Sequence, residues 1–399
     1  MWGIDDELRQ IREAGLYRSL RPLESGQGPD VSREGQVLAN FSSNDYLGLS
    51  SSKALREALN EGVEKYGAGS GASRLVCGSL PPHEELESEI ASFKGTEAAL
   101  SFSSGYATAM GSIPALLGKG DVIILDKLSH ACLVDAARLS GATVRVYPHN
   151  HLEKLERLLR GAAEEVALSS KSGGRRTRVL VVTESVFSMD GDAAALREIV
   201  ELKDRFGAWL WLDEAHAVGV IGPGGRGLAA ELGLEKRIDL QMGTLSKAVG
   251  LSGGYIAAKR DVISLLVNRA RSFVYSTAPA PALAHAAAEA IRLVQSDEGD
   301  RLRAGLWQVV GEWIRLTQTG GEPCPIAAIF PVVIGDEERA MEVSQRLLDA
   351  GFLVPAIRYP TVAKGSARLR VTFSAAHELG QIKILATHLS GLMAELSAE

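Results

Sequence analysis

The sequence predicts an α/β protein with a mainly parallel, doubly wound, seven-stranded sheet, followed by a smaller α+β domain. Between about residues 97 and 260, short β-rich runs alternate with stretches of helical periodicity, as in successive βα units. Several of these runs are almost wholly apolar, as strands covered on both faces are. The runs are 98–102, 122–125, 144–147, 179–183, 209–212, 240–243 and 255–258.

The N-terminal segment precedes the alternating region and has a different pattern. Its apolar residues recur near helical spacing and predict an amphipathic helix over 4–21. These residues are Ile4, Leu8, Ile11 and Leu16. We expect residues 1–45 to form an N-terminal helix and arm, and residues 46–295 to form the large α/β domain.

The pattern changes again after about residue 295, where helices and strands no longer alternate regularly. The predicted elements are a helix over 300–317, a strand over 326–334, a helix over 337–350, strands over 352–357 and 369–373, and a final helix over 377–397. This order predicts a small α+β domain over residues 296–399.

Composition and charge exclude several classes of function. The 399 residues include 49 acidic and 43 basic side chains, so the net charge of -6 favours neither nucleic acid nor an anionic membrane as a partner. No run of about 18 apolar residues occurs, so no membrane span is expected. The polar N-terminus lacks the build of a signal peptide.

Three widely separated cysteines, Cys77, Cys132 and Cys324, fit a reducing cytoplasm better than a disulfide scaffold. They form no CxxC pair, which excludes a zinc ribbon or a thioredoxin motif. The pair His149 and His151 resembles a metal pair, but no further ligands are spaced to complete it. We expect no metal and interpret that segment as a loop with an Asn helix cap.

Lys247 is the first candidate for chemistry. It lies in the segment GTLSKAVGLSGGY, directly after the predicted strand 240–243 and beside Thr244. Ligands of doubly wound sheets bind beyond the carboxyl ends of the strands, which is where this lysine is expected. A single lysine in a loop is usually an exposed residue without a chemical role. Lys247 therefore becomes a candidate for chemistry only if other reactive side chains lie beside it.

Asp213 and His216 follow another apolar run, in the segment WLWLDEAH. An unpaired carboxylate at the end of a buried strand is costly, and a protonated pyridine nitrogen would be a suitable partner. At about 4 Å and an effective dielectric near 20, that attraction is roughly 4 kcal/mol. The alternative is that Asp213 caps a helix. A helicase interpretation of DEAH requires an upstream GxxxxGK[ST] loop, which is absent.

Three further segments follow predicted strands. Gly105 and Tyr106 open a helix after strand 98–102, where backbone amides bind phosphate; the alternative is a plain βα turn. His130 could stack on a flat ring or be a satisfied structural residue. Ser188, in the segment ESVFSMDGD, could bond to a ring hydroxyl, and this segment lacks the spacing of an EF-hand.

Taken in order, the motifs SSGY, LSH, ESVFSMDGD, DEAH and GTLSK resemble those of the α-oxoamine synthases, over residues 16–397. The resemblance implies a transferase of fold type I that depends on pyridoxal 5′-phosphate (PLP). It implies that Lys247 is the Schiff-base lysine, that Asp213 pairs with the pyridine nitrogen and that His130 stacks on the ring. These three residues are the expected catalytic group. His216 and Ser188 match contacts to the ring oxygen.

The resemblance also implies the phosphate and substrate contacts. Thr244 and the amides of Gly105 and Tyr106 match phosphate contacts, and Thr277 matches one that reaches from the second subunit of a homodimer. The substrate-side positions are Arg18, Asn44, Arg358, Thr361 and Arg370. Arg370 is expected to bind the amino-acid carboxylate, because a guanidinium forks onto it, with Arg358 as the alternative.

The segments FSSNDYLGLS, YSTAPAP, SDEGD and AIRYPTVAKGSARLRVTFSAAHE most resemble one branch of this family. That branch condenses L-alanine with pimeloyl-CoA or a pimeloyl-carrier protein, with loss of carbon dioxide, in biotin biosynthesis. In it, Lys247 would remove the α-proton and His130 would hold the acyl carbonyl. A sister enzyme such as glycine C-acetyltransferase remains an alternative, since ASRLVCG resembles the glycine-using branch as well as the alanine-using one, and Leu245-Ser246 stand where many relatives have Phe-Gly. A non-catalytic nucleotide-binding module is the alternative of another class.

Overall fold

The computed structural model describes residues 3–171, 176–317 and 326–398. The strands are β1 (Asp30–Arg33), β2 (Gln36–Asn40), β3 (Ala98–Phe102), β4 (Val122–Asp126), β5 (Thr143–Tyr147), β6 (Val179–Glu184), β7 (Trp209–Asp213), β8 (Leu240–Thr244), β9 (Gly254–Ala258), β10 (Ile329–Gly335), β11 (Phe352–Leu353), β12 (Ala356–Ile357) and β13 (Ala367–Thr372).

The α-helices are α1 (Ile4–Glu13), α2 (Lys53–Tyr66), α3 (Pro81–Lys94), α4 (Gly105–Leu116), α5 (Ala131–Leu139), α6 (Leu152–Lys171), α7 (Leu196–Phe206), α8 (Leu228–Glu231), α9 (Arg260–Arg269), α10 (Arg271–Val274), α11 (Pro281–Gln295), α12 (Asp297–Thr317), α13 (Glu337–Asp349) and α14 (Leu379–Ala398). None of the helices within the described ranges is both long and apolar enough to cross a membrane.

The seven predicted strands of the large domain are confirmed. They form one sheet in the order β3-β9-β8-β7-β6-β4-β5. All neighbouring pairs are parallel except those made by β9, which runs antiparallel to both β3 and β8. β4, β6, β8 and β9 are buried along their whole length, as their apolar runs predicted.

Helices cover both faces of this sheet. On β4, Val122 and Ile124 pack in one hydrophobic cluster, while Ile123 and Leu125 pack in a second cluster on the opposite face. Successive strand residues point to opposite faces, so the two clusters are separate cores on either side of one sheet.

The carboxyl edge of the sheet is polar although the strands are apolar. The neighbouring strands β8, β7, β6 and β4 end in Thr244, Asp213, Glu184 and Asp126 respectively. Glu184 and Asp213 are direct partners in the β6–β7 register. Because parallel strands end at the same edge, the fold places these four side chains in one row.

The C-terminal region is an α+β unit, as predicted, with β10, β13 and β12 in an antiparallel sheet. The single strand expected over 352–357 is wrong, because Val354 and Pro355 separate β11 from β12, which belong to different sheets. Proline has no N–H to donate, which favours a break in the ladder at that point.

The N-terminal segment also differs from the expectation. The helix predicted over 4–21 ends at Glu13, and Gly15 then adopts a positive φ of 66°, a common helix terminator. The expected arm contains a hairpin, β1–β2, which forms a small sheet with β11 of the C-terminal region. The domain boundaries near residues 45 and 295 stay predictions.

Candidate active site

Lys247 lies in the turn after β8, at the polar edge of the sheet. Its Nζ atom is 2.7 Å from Nε2 of His216. Burial lowers the pKa of Lys247 to about 8, although the carboxylates of Asp213 and Glu184 act in the opposite direction. An amine in this range carries a usable neutral fraction near pH 7, which a proton-transferring group needs.

Asp213 ends β7 and is 5% exposed. Its Oδ1 atom accepts a 2.9 Å hydrogen bond from the backbone N–H of Ala215. Asp213 caps a run of turns over residues 215–220 rather than a helix, and the next helical element begins at Pro223. Burial raises the pKa of Asp213, and the charge of Lys247 and the hydrogen bond from Ala215 counteract this rise.

Glu184 stands beside Asp213 in the same row and was missed by the sequence analysis. It is 3% exposed, and burial together with the charge of Asp213 raises its pKa well above the usual range. Its Oε1 atom accepts the backbone N–H of His130. The sequence pattern that could have identified Glu184 is an acidic residue at the end of a largely apolar run, which is also the pattern at Asp213.

His216 connects Lys247 to Tyr46, whose hydroxyl is 2.7 Å from the other ring nitrogen, Nδ1. Tyr46 donates its proton to Oδ1 of Asn44 at 3.1 Å, so it must accept from Nδ1–H of His216. Burial, and then the charge of Lys247, lowers the pKa of His216 well below its usual value. His216 is therefore neutral, with Nε2 free to accept from Lys247. Tyr46 is a second residue that the sequence analysis missed.

His130 caps the N-terminus of α5. Its Nδ1 atom accepts the backbone N–H of Cys132 at 3.2 Å, which leaves the proton of the neutral ring on Nε2. Burial lowers the pKa of His130, so the neutral form is favoured. Two hydrogen bonds thus fix His130, one from its backbone N–H to Glu184 and one from Cys132 to its Nδ1 atom, and Nε2–H is available as a donor.

Arg370 comes from β13 of the C-terminal region and is 5% exposed. It donates through Nε to the carbonyl of Ser188 at 2.6 Å and through a terminal nitrogen to Oδ1 of Asn44 at 3.1 Å. In the described part of the chain, these partners are neutral oxygens rather than carboxylates. A buried guanidinium without a counter-ion favours an anionic ligand.

The N-terminus of α4 packs tightly against β8 and β9. A Cβ atom added to Gly254 would lie 2.5 Å from the backbone nitrogen of Gly105, so only glycine permits this approach. Thr244 donates to the carbonyl of Gly253 and lies 2.6 Å from the hydroxyl of Ser246. The exposed amides at the start of a helix form an anion site. The side chain of Tyr106 instead bonds to Asp135.

Four of the five predicted substrate residues line two adjoining cavities. Asn44 and Lys247 line a cavity of about 420 Å³. Arg18, Arg358 and Thr361 line a second cavity of about 540 Å³. Leu23 and Leu353 belong to the walls of both, so the two cavities are neighbours. Arg358 donates to the carbonyl of Gly15 and does not share the partners of Arg370.

The structure describes no hydrogen bond between Thr277 and Lys247 within the single chain. It forms an isolated antiparallel bridge with Ser73. Near this bridge, Val76 and Tyr275 are 78% and 73% exposed. Large apolar side chains exposed together are typical of interaction surfaces.

Comparisons with known proteins show the family of this chain. The family model for aminotransferase class I and II matches residues 36–389. An 8-amino-7-oxononanoate synthase from Geobacter sulfurreducens is 48% identical over 380 residues, which cover 94% of this chain and 94% of the relative.

Solved structures agree as well. A serine palmitoyltransferase variant from S. paucimobilis with a bound PLP–myriocin aldimine has a TM-score of 0.90 at 28% identity, covering 100% of this chain and 98% of its own. An 8-amino-7-oxononanoate synthase from Francisella tularensis has a TM-score of 0.75 at 26% identity, covering 90% and 98%. The predicted fold type I and the resemblance to α-oxoamine synthases are confirmed. The chain belongs to the aminotransferase class I and II family, within the group that contains the curated 8-amino-7-oxononanoate synthases.

Proposed function

We propose that this chain is a PLP-dependent 8-amino-7-oxononanoate synthase of biotin biosynthesis. It condenses L-alanine with a pimeloyl thioester, the thiol of the donor is released, and the carboxyl group of alanine leaves as carbon dioxide. One observation carries the proposal: an amine of lowered pKa, Lys247, meets the buried carboxylate of Asp213 and the ring of His130 at the sheet edge. This site lies in a chain that is 42–48% identical to curated synthases of that name.

The donor set fits PLP. Asp213 is a buried carboxylate without a bonded cationic side chain among the described residues, which suits a protonated ring nitrogen. The amides of Gly105 and Tyr106 and the hydroxyl of Thr244 suit the phosphate. Lys247 attaches the cofactor, His130 stacks on its ring, and His216 and Ser188 contact its ring oxygen. When bound, PLP supplies an electron sink for the carbanion at Cα.

The residues of the chain position the substrate and move protons. Arg370 forks onto the alanine carboxylate, because its present partners leave the guanidinium without a counter-ion. The Nζ atom of Lys247 takes the α-proton, and Nε2 of His216 accepts a hydrogen bond from it and holds it in place. His130 donates from Nε2–H to the acyl carbonyl, where negative charge develops.

The remaining roles concern the acyl donor and the partner subunit. Arg18, Arg358 and Thr361 lie on the acyl-donor side, in the larger of the two adjoining cavities. Thr277 contacts the phosphate bound in the second subunit of a homodimer. The exposed Val76 and Tyr275 near the Ser73–Thr277 bridge support an interface at that surface. The reaction takes place in the cytoplasm.

The substrate assignment is tested with a panel of substrates. Purified protein is incubated with alanine, glycine or serine and with acetyl-, succinyl-, palmitoyl- or pimeloyl-CoA, and with pimeloyl-carrier protein. Mass spectrometry should find 8-amino-7-oxononanoate as the main product, from alanine and a pimeloyl donor. Preferred use of glycine with acetyl-CoA would instead identify a sister enzyme, glycine C-acetyltransferase.

The cofactor assignment is tested separately. Borohydride reduction of the purified protein should fix PLP on the peptide that contains Lys247, as measured by mass spectrometry. Nucleotide binding by a colourless protein that holds no PLP would contradict the proposal and support a non-catalytic nucleotide-binding module.

A further inference from the structure

The cavity of about 540 Å³ is lined by basic but not by acidic side chains. Its lining residues come from 17–33, from α13 and from 353–361, and they include Arg18, Arg21, Arg33 and Arg358. Four of these residues are arginines and none is an aspartate or a glutamate. Like charges gathered in one cleft repel each other, and an anionic ligand relieves that repulsion.

Arg33 is the arginine of this cleft that has a buried side-chain donor without a partner among the described residues. Its side chain is only 13% exposed, and its Nε–H is buried without an acceptor among the described residues. A terminal nitrogen of Arg33 lies 3.2 Å from Glu34, whose side chain is 79% exposed and solvated. A buried donor left unpaired costs free energy, so the site is completed when a ligand oxygen accepts from Nε.

The rest of the lining is largely apolar. Met341 and Leu348 come from α13, and Val354 and Ile357 come from the segment that contains β11 and β12. A free phosphate or a nucleotide gains little from such a wall, whereas a methylene chain buries apolar surface against it. The cleft therefore favours a ligand that is apolar along its length and anionic at one end.

The position of the cleft relates it to the reaction. It adjoins the cavity of Lys247 through the shared residues Leu23 and Leu353. The cleft that Arg33 lines is thus next to the cavity in which the reactive end of a ligand would lie near Lys247.

We propose that the cleft binds the acyl chain of the donor, and that Arg33 pairs with the carboxylate at the far end of that chain. The inference rests on the proposed function, since pimeloyl is an apolar chain with a terminal carboxylate. It makes Arg33 a specificity-determining residue that distinguishes dicarboxylic from simple fatty acyl donors. None of the motifs in the sequence pointed to this residue.

The test compares two thioesters of equal chain length, pimeloyl-CoA and heptanoyl-CoA, which differ only in the terminal carboxylate. In the wild-type holoenzyme, kcat/KM should be higher for pimeloyl-CoA. Arg33→Gln should lower kcat/KM for pimeloyl-CoA by roughly 10- to 100-fold, the range for a lost hydrogen bond to a charged group. Its kcat/KM for heptanoyl-CoA should not fall. Arg33→Lys keeps the charge and should retain part of the preference.

The matched control is Arg301→Gln, which removes an exposed arginine that pairs with Glu298 on α12. It should leave both rates unchanged, and thermal melting should show all variants folded. Equal losses for both thioesters, together with weaker inhibition by free CoA, would mean that Arg33 contacts the CoA phosphates and would overturn the inference. Unchanged selectivity in Arg33→Gln would overturn it as well. A wild-type enzyme inactive with every pimeloyl donor would instead refute the proposed function.

Discussion

Two neighbouring carboxylates, Asp213 and Glu214, have opposite surroundings. Glu214 is fully buried, forms an ion pair with Lys94 and accepts the backbone N–H of Ala229 at 3.0 Å. Lys94 also donates to the carbonyl of Arg226. Asp213 is nearly as buried, yet its described hydrogen bond comes from a backbone N–H alone.

This difference separates structure from function at adjacent positions. A buried charge with a complete set of partners is neutralised within the fold, so its removal should change stability. A buried charge without an ionic partner is retained at a cost and is available to a ligand. Lys247 and Arg370 resemble Asp213 in this respect, whereas Lys94 resembles Glu214.

Among the buried charges without an ionic partner, which are Asp213, Lys247 and Arg370, the largest effect on activity is expected for Lys247→Ala. Because this variant removes both the attachment point and the proton-transferring amine, kcat should fall by more than about 10⁴-fold. The measurement is the rate of product formation from alanine and pimeloyl-CoA. Lys259→Ala, which removes an exposed lysine at the start of α9, is the control and should retain normal activity. Near-normal turnover in Lys247→Ala would refute the proposed role.

Asp213→Asn should separate activity from stability. The amide is neutral and cannot hold a protonated ring nitrogen, so kcat should fall by about 10²- to 10⁴-fold. The cofactor-free variant should be at least as stable as the cofactor-free wild type, because an uncompensated buried charge is removed. Thermal melting of both apoproteins checks this. A clear loss of stability would place Asp213 with Glu214, as a structural charge.

Lys94→Met should show the opposite behaviour. It leaves Glu214 buried without its cation, which typically costs about 3–5 kcal/mol in the free energy of unfolding. Denaturant unfolding measures this loss, and the double variant Lys94→Met with Glu214→Leu should recover much of it. If the single variant unfolds normally but loses activity, the pair acts on the site and the contrast with Asp213 fails.

The sequence could predict the strands and most of the site because both depend on local patterns. Buried parallel strands appear as apolar runs, and the residues that follow them, such as Lys247, His130 and Asp213, must lie at one edge of the sheet. Glu184 carried the same signal, a charge that closes an apolar run, and was predictable on that ground.

The remaining features depend on contacts between distant segments. Tyr46 and His216 are 170 residues apart, and their hydrogen bond determines the tautomer of His216. Arg358 and Arg370 are chemically equivalent in sequence. Only the fold directs Arg370 to Asn44 and Ser188 and leaves Arg358 on the neighbouring cleft. No local pattern encodes either arrangement.

His149 extends the comparison to a third group, a cation held by two carboxylates. It was interpreted from sequence as part of a loop with an Asn helix cap. The expected cap is wrong, because Asn150 accepts from the backbone N–H of Ala195 and it is His151 that accepts from the first turn of α6, at Lys154. The Nδ1 and Nε2 atoms of His149 lie 3.1 Å from Asp126 and 2.7 Å from Asp192. Burial opposes the charge on the ring, yet these bonds outweigh it and raise the pKa of His149 to about 10. This clamp ties the end of β4 to the loop that carries Ser188.

The clamp predicts a specific pH dependence of stability. Because the folded pKa of His149 lies above its ordinary value of 6.5, the stabilisation is complete below that value and is lost as the pH rises toward about 10. Because Asp192 is 43% exposed, solvent screens its charge, and we expect the free energy of unfolding to fall by about 1–2 kcal/mol between pH 6.5 and about 10. Denaturant unfolding from pH 6 to 10 should show this decline in the wild type and a flatter profile in His149→Gln. Because His149 is paired with two carboxylates of the protein, we expect it to have no part in catalysis, and His149→Gln should keep most of the activity. A large loss of kcat would instead show that His149 acts together with Lys247 and Asp213 in the reaction.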